Sequence, residues 1–252
     1  MIAVNPLVSI ITISYNSQET INSTVKSILK QSYKNIEYIV VDGNSSDNTL
    51  NIVEGFRSQF EKRNINLKVL SEKDKGIADA WNKGLKLATG NIIGILNSDD
   101  WYDDSAVEIA TKALDVTQSQ ISYGICKKLN AKEEVIHVME NEFNTSRVYL
   151  NFGFSHTTCF ATRKVYEVVG NFDLSYKIAL DVDFLLRCVK SNVTFIKTNT
   201  ITYMRMGGIS TANKNSALIE YQQALLKNGY NKFLIGIFGT LKKIILYLKQ
   251  NN

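Results

Sequence analysis

The chain has 252 residues, 44% of them hydrophobic, and a formal net charge of +5, so it can bury the core of one large domain, or of one domain with an appendage. Its three cysteines are widely spaced and form no CxxC pair, which argues against a disulfide framework and a structural zinc site and fits a reducing compartment. The N-terminal sixteen residues lack a basic segment and a small-residue cleavage site, so we expect a first strand and not a signal peptide, and a cytoplasmic protein.

The excess positive charge lies in the C-terminal tail. Residues 221–252 contain five lysines and no acidic residue, so the rest of the chain is neutral. Nucleic-acid-binding proteins more often spread their basic residues over a groove-facing surface. We therefore expect no nucleic-acid partner.

The first hundred residues alternate predicted strands and helices. Continuous apolar runs predict strands at residues 7–13, 36–41, 67–71 and 91–96. Apolar residues at helical spacing follow the first three strands, and Asn16 or Ser17 is expected to cap the first helix. This alternation predicts an α/β fold with a parallel sheet and right-handed crossovers. In such sheets ligands bind beyond the carboxyl ends of the strands.

The loops after these four strands are polar, and they read "SYNS", "DGNSSD", "EKDKG" and "NSDD". They should converge on one rim of the sheet. Asn, Ser and Asp are ordinary turn formers and helix caps, which accounts for most of these residues. It accounts poorly for Asp99 and Asp100, because residues 103–105 already offer three caps for the next helix. The pair therefore indicates a binding site.

Adjacent carboxylates at a strand end suit a hard cation, Mg²⁺ or Mn²⁺, that shares its oxygen ligands with substrate phosphates. The chain has no GxGxxG, GxxxxGK[ST] or HExxH motif, and it has only two histidines. A nucleoside diphosphate is the natural partner of such a site.

Two segments carry a family resemblance: "VSIITISYNSQETINSTVKSILKQSYKNIEYIVVDGNSSDNTL" and "SEKDKGIADAWNKGLKLATGNIIGILNSDDW". The chain resembles the inverting family 2 glycosyltransferases of the GT-A fold, from Val8 to about Ser210, and among them bacterial enzymes that build O-antigen and capsular repeat units. The resemblance implies a Rossmann-like, mixed but mostly parallel sheet flanked by helices. The catalytic domain would span residues 1–215, and a helical, basic and apolar tail would span residues 216–252.

The resemblance also implies roles for the acidic loops. Asp99 would lie near the ribose, and Asp100 would hold the Mn²⁺ or Mg²⁺ that bridges the two phosphates of a sugar nucleotide. Asp42 would lie at the nucleotide base. In the family the next position is more commonly a second acid, which binds uracil, but here it is Gly43. The loop backbone or Asp42 itself would therefore have to replace that acid.

The donor site implied by the resemblance contains five more residues: Tyr15, Asn16, Asp74, Asp79 and Arg205. For the two aspartates the alternative is a solvated charged loop before an ordinary helix. The arginine precedes a glycine pair at 207–208, which suits a lid that closes over a diphosphate. A plain turn is the alternative there.

A predicted helix within residues 170–190 carries Asp181 near its start. By resemblance Asp181 is the catalytic base, which takes the proton of the acceptor hydroxyl as that oxygen attacks; the alternative is a helix cap. Asp183 is expected to support the fold, with Arg187 as its partner one turn later. His156 is expected to contact the acceptor or a phosphate, with a structural histidine as the alternative.

The apolar stretch at residues 233–241 is too short to span a bilayer. Flanking lysines suit a helix that lies in the interface beside anionic lipids, which predicts peripheral contact with the inner face of the cell membrane. The alternative is a helix that packs on its own domain or on the partner in a homodimer.

The sequence thus predicts a metal-dependent inverting hexosyltransferase. It would move glucose or galactose from a UDP-sugar to a glycan acceptor linked to polyprenyl diphosphate, in O-antigen or capsular polysaccharide synthesis. A non-catalytic sugar-nucleotide-binding subunit of a polysaccharide assembly is the alternative, which the Asp99–Asp100 pair together with Asp181 disfavours. A nucleotidyltransferase would need a glycine- and lysine-rich triphosphate loop near its N-terminus, and the sequence has none there.

Overall fold

A computed structural model describes residues 5–140, 142–207 and 213–248, with side chains as far as residue 244. The described strands are β1 (Val8–Ser14), β2 (Ile36–Asp42), β3 (Asn66–Ser71), β4 (Ile92–Asn97), β5 (Trp101–Tyr102), β6 (Gln120–Leu129), β7 (Val135–Met139), β8 (Phe160–Thr162) and β9 (Thr194–Arg205). The described α-helices are Ile21–Lys30, Thr49–Glu54, Arg57–Lys62, Ile77–Leu87, Ala106–Ala113, Arg163–Val169, Leu180–Lys190, Lys214–Lys227 and Lys232–Leu248.

The described strands form one mixed sheet in the order β3-β2-β1-β4-β8-β6-β9-β5, and β7 pairs with the second half of β6. The first four strands pair in parallel, as predicted from the strand–helix alternation. Ser14 lies opposite Asp42, and Ile13 lies opposite Asn97. The carboxyl ends of β1, β2 and β4 are therefore level, and their loops leave the sheet at the same edge.

Helices cover both faces of the sheet. On one face β1, β2 and β4 pack against Trp81 of helix Ile77–Leu87 and Leu186 of helix Leu180–Lys190. On the other face they pack against Val25 of helix Ile21–Lys30 and Val107 of helix Ala106–Ala113. A strand that is covered on both sides gains hydrophobic burial from every residue, which is why these strands are continuous apolar runs.

The first two helical segments differ from the prediction. The first helix begins at Ile21 after Thr20, and no side chain caps it, so neither Asn16 nor Ser17 is its cap. Ser17 contributes its carbonyl oxygen instead, which accepts the N–H groups of Thr20 and Ile21. The helical segment that follows β2 is divided, because Phe56 lies between helices Thr49–Glu54 and Arg57–Lys62.

The two C-terminal helices pack on the main body. Helix Lys214–Lys227 buries Leu218, Tyr221 and Leu225. In helix Lys232–Leu248 Ile235 is buried, and the ring of Phe238 stacks on Tyr149 at 5.4 Å between centroids.

The other side of the last helix carries an exposed apolar stripe. Its members are Phe233 (75% exposed), Ile237, Leu241 and Ile244. Within the described parts of the chain, no helix has the length and apolar character needed to cross a membrane. One side of this helix therefore packs on the protein and the opposite side has no described partner.

A buried carboxylate ties the amino-terminal ends of three strands together. Glu37 is 2% exposed and accepts hydrogen bonds from Ser9 Oγ (2.5 Å), Lys68 Nζ (2.7 Å) and the Thr89 N–H (2.5 Å). Burial acts to raise the pKa of Glu37, but the hydrogen bonds from Lys68, Ser9 and Thr89 outweigh it and lower the pKa to about 2.

We predict that Glu37→Gln lowers the free energy of unfolding at neutral pH by up to about 3 kcal/mol. Because the folded pKa lies below the ordinary value of 4.5, this contribution is complete above about pH 4.5 and is lost as the pH falls toward 2. Urea unfolding of wild type and variant across this range measures it. Glu61→Gln, which changes an exposed carboxylate, is the control. A difference that stays constant with pH would contradict the assignment.

Candidate active site

The loops at the carboxyl edge are joined by hydrogen bonds between short polar side chains. Ser17 Oγ lies 2.8 Å from Ser98 Oγ, which connects the loop after β1 to the loop after β4. The Asn16 N–H donates to Ser45 Oγ at 2.8 Å, and Asn16 Oδ1 accepts the Ser46 N–H at 2.9 Å. Asn16 has a φ of 47°, a conformation that asparagine tolerates better than most residues. In this structure Asn16 therefore connects the loops after β1 and β2.

Asp42 is fully buried at the end of β2, and protein donors occupy both of its oxygens. Oδ1 accepts the hydroxyls of Ser14 (2.9 Å) and Ser45 (2.5 Å). Oδ2 accepts the Ser45 N–H (2.8 Å) and the Ser71 hydroxyl (3.0 Å). The carboxylate thus anchors the loop after β2. It has little hydrogen-bonding capacity left for the base of a nucleotide.

The carboxylate of Asp74 lies directly over Gly43. A Cβ added to Gly43 would lie 2.6 Å from Asp74 Oδ2 and 3.4 Å from the ring of Tyr15, which is 66% exposed. Because Gly43 has no side chain, the Asp74 carboxylate can occupy the space beside it. Asp74 Oδ1 accepts the Gly76 N–H at 2.9 Å. Asp79 stabilises the same loop, since its Oδ2 accepts the Lys75 N–H at 2.9 Å.

The adjacent acids Asp99 and Asp100 follow β4, and they differ in exposure. Asp100 is 1% exposed, and Asp99 is half-buried. Burial and the neighbouring charge of Asp99 raise the pKa of Asp100 well above its ordinary value. Burial also raises the pKa of Asp99, while the charges of Arg205 and His156 act against that rise. Two like charges in a dry setting are costly unless a cation shares them.

Arg205, at the end of β9, holds this acidic turn in place. Its backbone N–H donates to Asp100 Oδ1 at 3.2 Å, and Nη1 donates to the Asp99 carbonyl oxygen at 2.8 Å. Its guanidinium carbon lies 4.5 Å from the ring centroid of Trp101, and Nη2 pairs with Glu133 at 2.5 Å. Arg205 thus supports the acids in this structure. Gly208 and Ser210, which belong to the predicted lid, lie outside the described residues.

The chemistry of this turn fits a divalent cation shared with a ligand. No cluster of three or more His, Cys, Asp or Glu side chains able to hold a metal exists among the described residues. Asp99 and Asp100 supply carboxylate oxygens, which Mg²⁺ and Mn²⁺ prefer, and both line an open cavity. A cation here would take its remaining ligands from phosphates and water, as Mg²⁺ usually does in nucleotide sites.

A second acidic group lies on the same cavity. Asp181 is the second residue of helix Leu180–Lys190, and its Oδ2 lies 3.0 Å from His156 Nδ1. Its Oδ1 accepts the Val182 N–H at 2.9 Å. The His156 ring lies 5.2 Å from the Trp81 ring, between centroids, and His156 Nε2 is buried without a hydrogen-bond partner in the described chain. Packing on Trp81 and the contact with Asp181 fix the imidazole.

The three amides just before this helix are satisfied by a different acid. Oε2 of Glu220 accepts the N–H groups of Lys177 (3.1 Å), Ile178 (2.8 Å) and Ala179 (2.9 Å). Asp181 is not the N-cap of this helix, which is Ala179, although Asp181 Oδ1 accepts one amide of the first turn, the Val182 N–H. Glu220 was not identified from the sequence, because the two segments are more than forty residues apart.

The predicted partner of Asp183 is confirmed. Asp183 is 1% exposed, and Arg187 Nε lies 2.8 Å from its Oδ2. Asn228 Nδ2 donates to Oδ1 at 3.0 Å. Asp181 and Asp183 therefore separate into a cavity-facing carboxylate and a buried structural one.

An open cavity of about 580 Å³ brings the two acidic groups together. Five of the predicted site residues line it: Asp99, Asp100, His156, Asp181 and Arg205. The other five do not line it and lie in the loops after β1 and β3, at the end of β2, or in the helix that follows β3: Tyr15, Asn16, Asp42, Asp74 and Asp79. Trp81 and Lys242, on the cavity wall, were not predicted as site residues. Trp81 could have been singled out from the sequence, because it is an aromatic residue in a segment that carries the family resemblance.

The chain is similar to known glycosyltransferases. Over 259 aligned residues the chain is 29% identical to WfaP of Escherichia coli, a UDP-Glc:alpha-D-GlcNAc-diphosphoundecaprenol beta-1,3-glucosyltransferase; the alignment covers 98% of this chain and 99% of WfaP.

Solved structures share the fold. Staphylococcus aureus TarS (residues 1–349, with UDP-GlcNAc) superposes with a TM-score of 0.65 at 21% identity, over 92% of this chain and 71% of that one. The chain spans 41% of a longer TarS structure. PcManGT, a mannosyltransferase of Pyrobaculum calidifontis in complex with GDP-Man and Mn²⁺, gives a TM-score of 0.67 at 19% identity, over 89% of this chain and 64% of that one.

The predicted fold is that of these GT-A enzymes. The family description "Glycosyl transferase family 2" matches residues 9–170, which include β1 to β4, the Asp99–Asp100 turn and His156. The chain belongs to glycosyltransferase family 2.

Proposed function

We propose that the chain is an inverting hexosyltransferase that moves glucose or galactose from a UDP-sugar to a saccharide linked to polyprenyl diphosphate. The observation that carries the proposal is the single cavity lined by the Asp99–Asp100 pair and by the Asp181–His156 pair. A transferase needs a site for a departing diphosphate and a base for the attacking hydroxyl within reach of one sugar. The similarity to WfaP, over nearly the whole of both chains, supports the substrate class.

The nucleotide would bind at the loops after β1, β2 and β3. Tyr15 offers an exposed ring, and Asp74 Oδ2 faces the space over Gly43. A carboxylate oxygen there can accept the imide N–H of uracil, a role that the saturated Asp42 carboxylate cannot fill. The UDP-GlcNAc bound to TarS is consistent with a uridine donor in this fold.

Asp181 would act as the base. Its Oδ2 lies 3.0 Å from His156 Nδ1, which holds the carboxylate in one orientation. The acceptor hydroxyl would donate its proton to Asp181 while its oxygen attacks the anomeric carbon from the side opposite the diphosphate. An α-linked donor would then give a β-linked product.

Asp100 would hold a Mn²⁺ or Mg²⁺, with Asp99 beside the ribose. When bound, such a cation supplies positive charge that stabilises the departing nucleoside diphosphate. Arg205 keeps both acids in position through the Asp100 carboxylate and the Asp99 carbonyl oxygen.

We also propose that helix Lys232–Leu248 rests on the surface of the inner membrane. Its exposed stripe of Phe233, Ile237, Leu241 and Ile244 is flanked by exposed lysines at positions 232 and 243. Apolar side chains beside lysines favour the boundary of an anionic bilayer. This would bring the cavity close to a lipid-linked acceptor, at the inner face of the membrane.

The metal proposal predicts the effect of Asp100→Asn. The variant should lose transfer and Mn²⁺-dependent UDP binding, because an amide is a poor ligand for a hard cation. Its melting temperature should not fall, since the repulsion with Asp99 is relieved. Calorimetric titration with UDP, with and without Mn²⁺, is the measurement.

Asp104→Asn is the matched control, because it removes an exposed carboxylate four positions later. It should behave as wild type. Near-normal turnover in Asp100→Asn, or full wild-type activity in excess EDTA, would show that the metal site is misplaced.

The base proposal predicts that Asp181→Asn lowers turnover by about 100-fold or more, with donor affinity and melting temperature nearly unchanged. Stability should persist because Glu220, not Asp181, satisfies the amides before the helix. Transfer assays and thermal melts measure both quantities.

Asp183→Asn gives the opposite expectation on the same helix. It breaks a buried ion pair, so it should melt earlier and keep its activity per folded molecule. If Asp181→Asn melts early and stays active, Asp181 is structural. If wild type binds UDP but neither transfers sugar nor hydrolyses the donor with Mn²⁺, the chain is a non-catalytic binding subunit.

The membrane proposal predicts that the triple variant Phe233→Ser, Ile237→Ser and Leu241→Ser loses binding to anionic vesicles and still glycosylates short soluble acceptors. Substitutions are preferable to truncation, because Ile235 and Phe238 pack on the main body. Wild-type binding should weaken as salt rises, since salt screens the lysines.

Serine at the exposed residues Val135, Ile136 and Val138 of β7 is the control, which should leave vesicle binding intact. Wild-type protein that ignores anionic vesicles in co-sedimentation would exclude the membrane contact. The stripe would then be left for a homodimer partner, which sedimentation velocity would detect.

A further inference from the structure

The cavity has a basic wall that the donor and the base do not use. Besides its acids, the cavity is lined by three lysine side chains that come from β6 and the two C-terminal helices: Lys128, Lys214 and Lys242. Lys128 and Lys242 are half-buried, whereas Lys214 and the next residue along the tail, Lys243, are exposed.

Lys242 turns away from the solvent and into the protein. Its Nζ donates to the Leu150 carbonyl oxygen at 2.7 Å and lies 4.2 Å from the centroid of the Tyr221 ring. An ammonium group has three N–H donors, so two remain after the bond to Leu150. Tyr221 also lines the cavity, and its hydroxyl is fixed by a 2.6 Å hydrogen bond to the Val148 carbonyl oxygen. The contacts therefore hold a cation at the cavity wall with unused donors.

The surroundings of Lys242 do not neutralise its charge. Among the described residues, no carboxylate forms an ion pair with Lys242, and burial lowers its pKa. A cation removed from water and held by one carbonyl dipole and one ring remains undercompensated. A bound anion would compensate it, through charge-assisted hydrogen bonds to the free N–H groups.

The two charged regions of the cavity suit different ligands. The Asp99–Asp100 region repels an anion unless a cation accompanies it, whereas the lysine region attracts an anion directly. Because the acceptor hydroxyl has to reach Asp181, the rest of the acceptor must occupy the other part of this cavity. An acceptor whose sugar carries a diphosphate brings a dianionic group to that part.

We propose that Lys242, supported by Lys128 and Lys214, binds the diphosphate of the lipid-linked acceptor. The inference rests on the proposed function and names the residue that would recognise its acceptor. The same helix would then serve two purposes, since its exposed stripe contacts the bilayer while Lys242 contacts the phosphate at the bilayer surface. Acceptor selection would depend on the tail.

Calorimetry tests the site without turnover. The full chain, loaded with UDP and Mn²⁺, is titrated with N-acetylglucosaminyl diphosphate that carries a short alkyl chain, and with the uncharged alkyl N-acetylglucosaminide. Lys242→Gln should weaken binding of the diphosphate ligand about tenfold or more, with no change for the uncharged ligand. Lys243→Gln, which removes an adjacent exposed charge, should match wild type. Lys242→Arg should restore most of the affinity.

Three results would overturn the site. They are equal affinity of wild type for the two ligands, an equal loss in Lys243→Gln, and a loss in Lys242→Gln that extends to the uncharged ligand. If Lys242→Gln instead reduces binding to anionic vesicles and leaves the diphosphate ligand unaffected, the lysine contacts lipid headgroups and the proposal is wrong. Failure of the proposed function is a separate result, seen as no sugar transfer by wild type to either acceptor.

Discussion

The crowding of two carboxylates at the end of β4 is the constraint on which the site depends. Asp100 is almost completely enclosed, and Asp99 lies beside it. The turn persists because Arg205, at the end of β9, donates to both residues and packs over Trp101. Part of this support comes from a backbone N–H, so the negative charge of the two carboxylates is not fully balanced. A divalent cation that carries a diphosphate binds well under this condition.

The remaining polar residues at this edge divide into those that support the loops and those that keep part of the side chain free of hydrogen bonds. Asp42 and Asn16 use their hydrogen-bonding capacity on neighbouring loops. Tyr15 and Asp74 keep an exposed ring and an available oxygen beside Gly43. Position 43 links the two groups, since any side chain there would displace Asp74. Where the commoner family pattern has a second acid, this chain has Gly43. The carboxylate beside that position comes instead from Asp74, in the loop after β3.

Local patterns in the sequence predicted the parallel half of the sheet and its polar edge. Doubly buried strands require uninterrupted apolar runs, and parallel pairing then aligns the loops that follow them. The pair of Asp183 and Arg187 was predictable because four residues make one helical turn. The prediction that Asn16 or Ser17 caps the first helix was wrong, because both residues form hydrogen bonds with other loops. Helix-capping propensity does not include such long-range contacts. Glu220 and Lys242 were not predictable, since each acts on a segment distant in the sequence.

We propose that inverting transfer of a hexose from a UDP-sugar to a diphosphate-linked acceptor takes place in one cavity, and this claim can be tested directly. The most direct measurement is the anomeric configuration of the product, by proton NMR, after incubation of the chain with UDP-glucose or UDP-galactose, Mn²⁺ and an alkyl-diphosphate-linked N-acetylglucosamine. We predict a β-linked product from the α-linked donor, formed by single displacement with Asp181 as base. An α-linked product would contradict the claim.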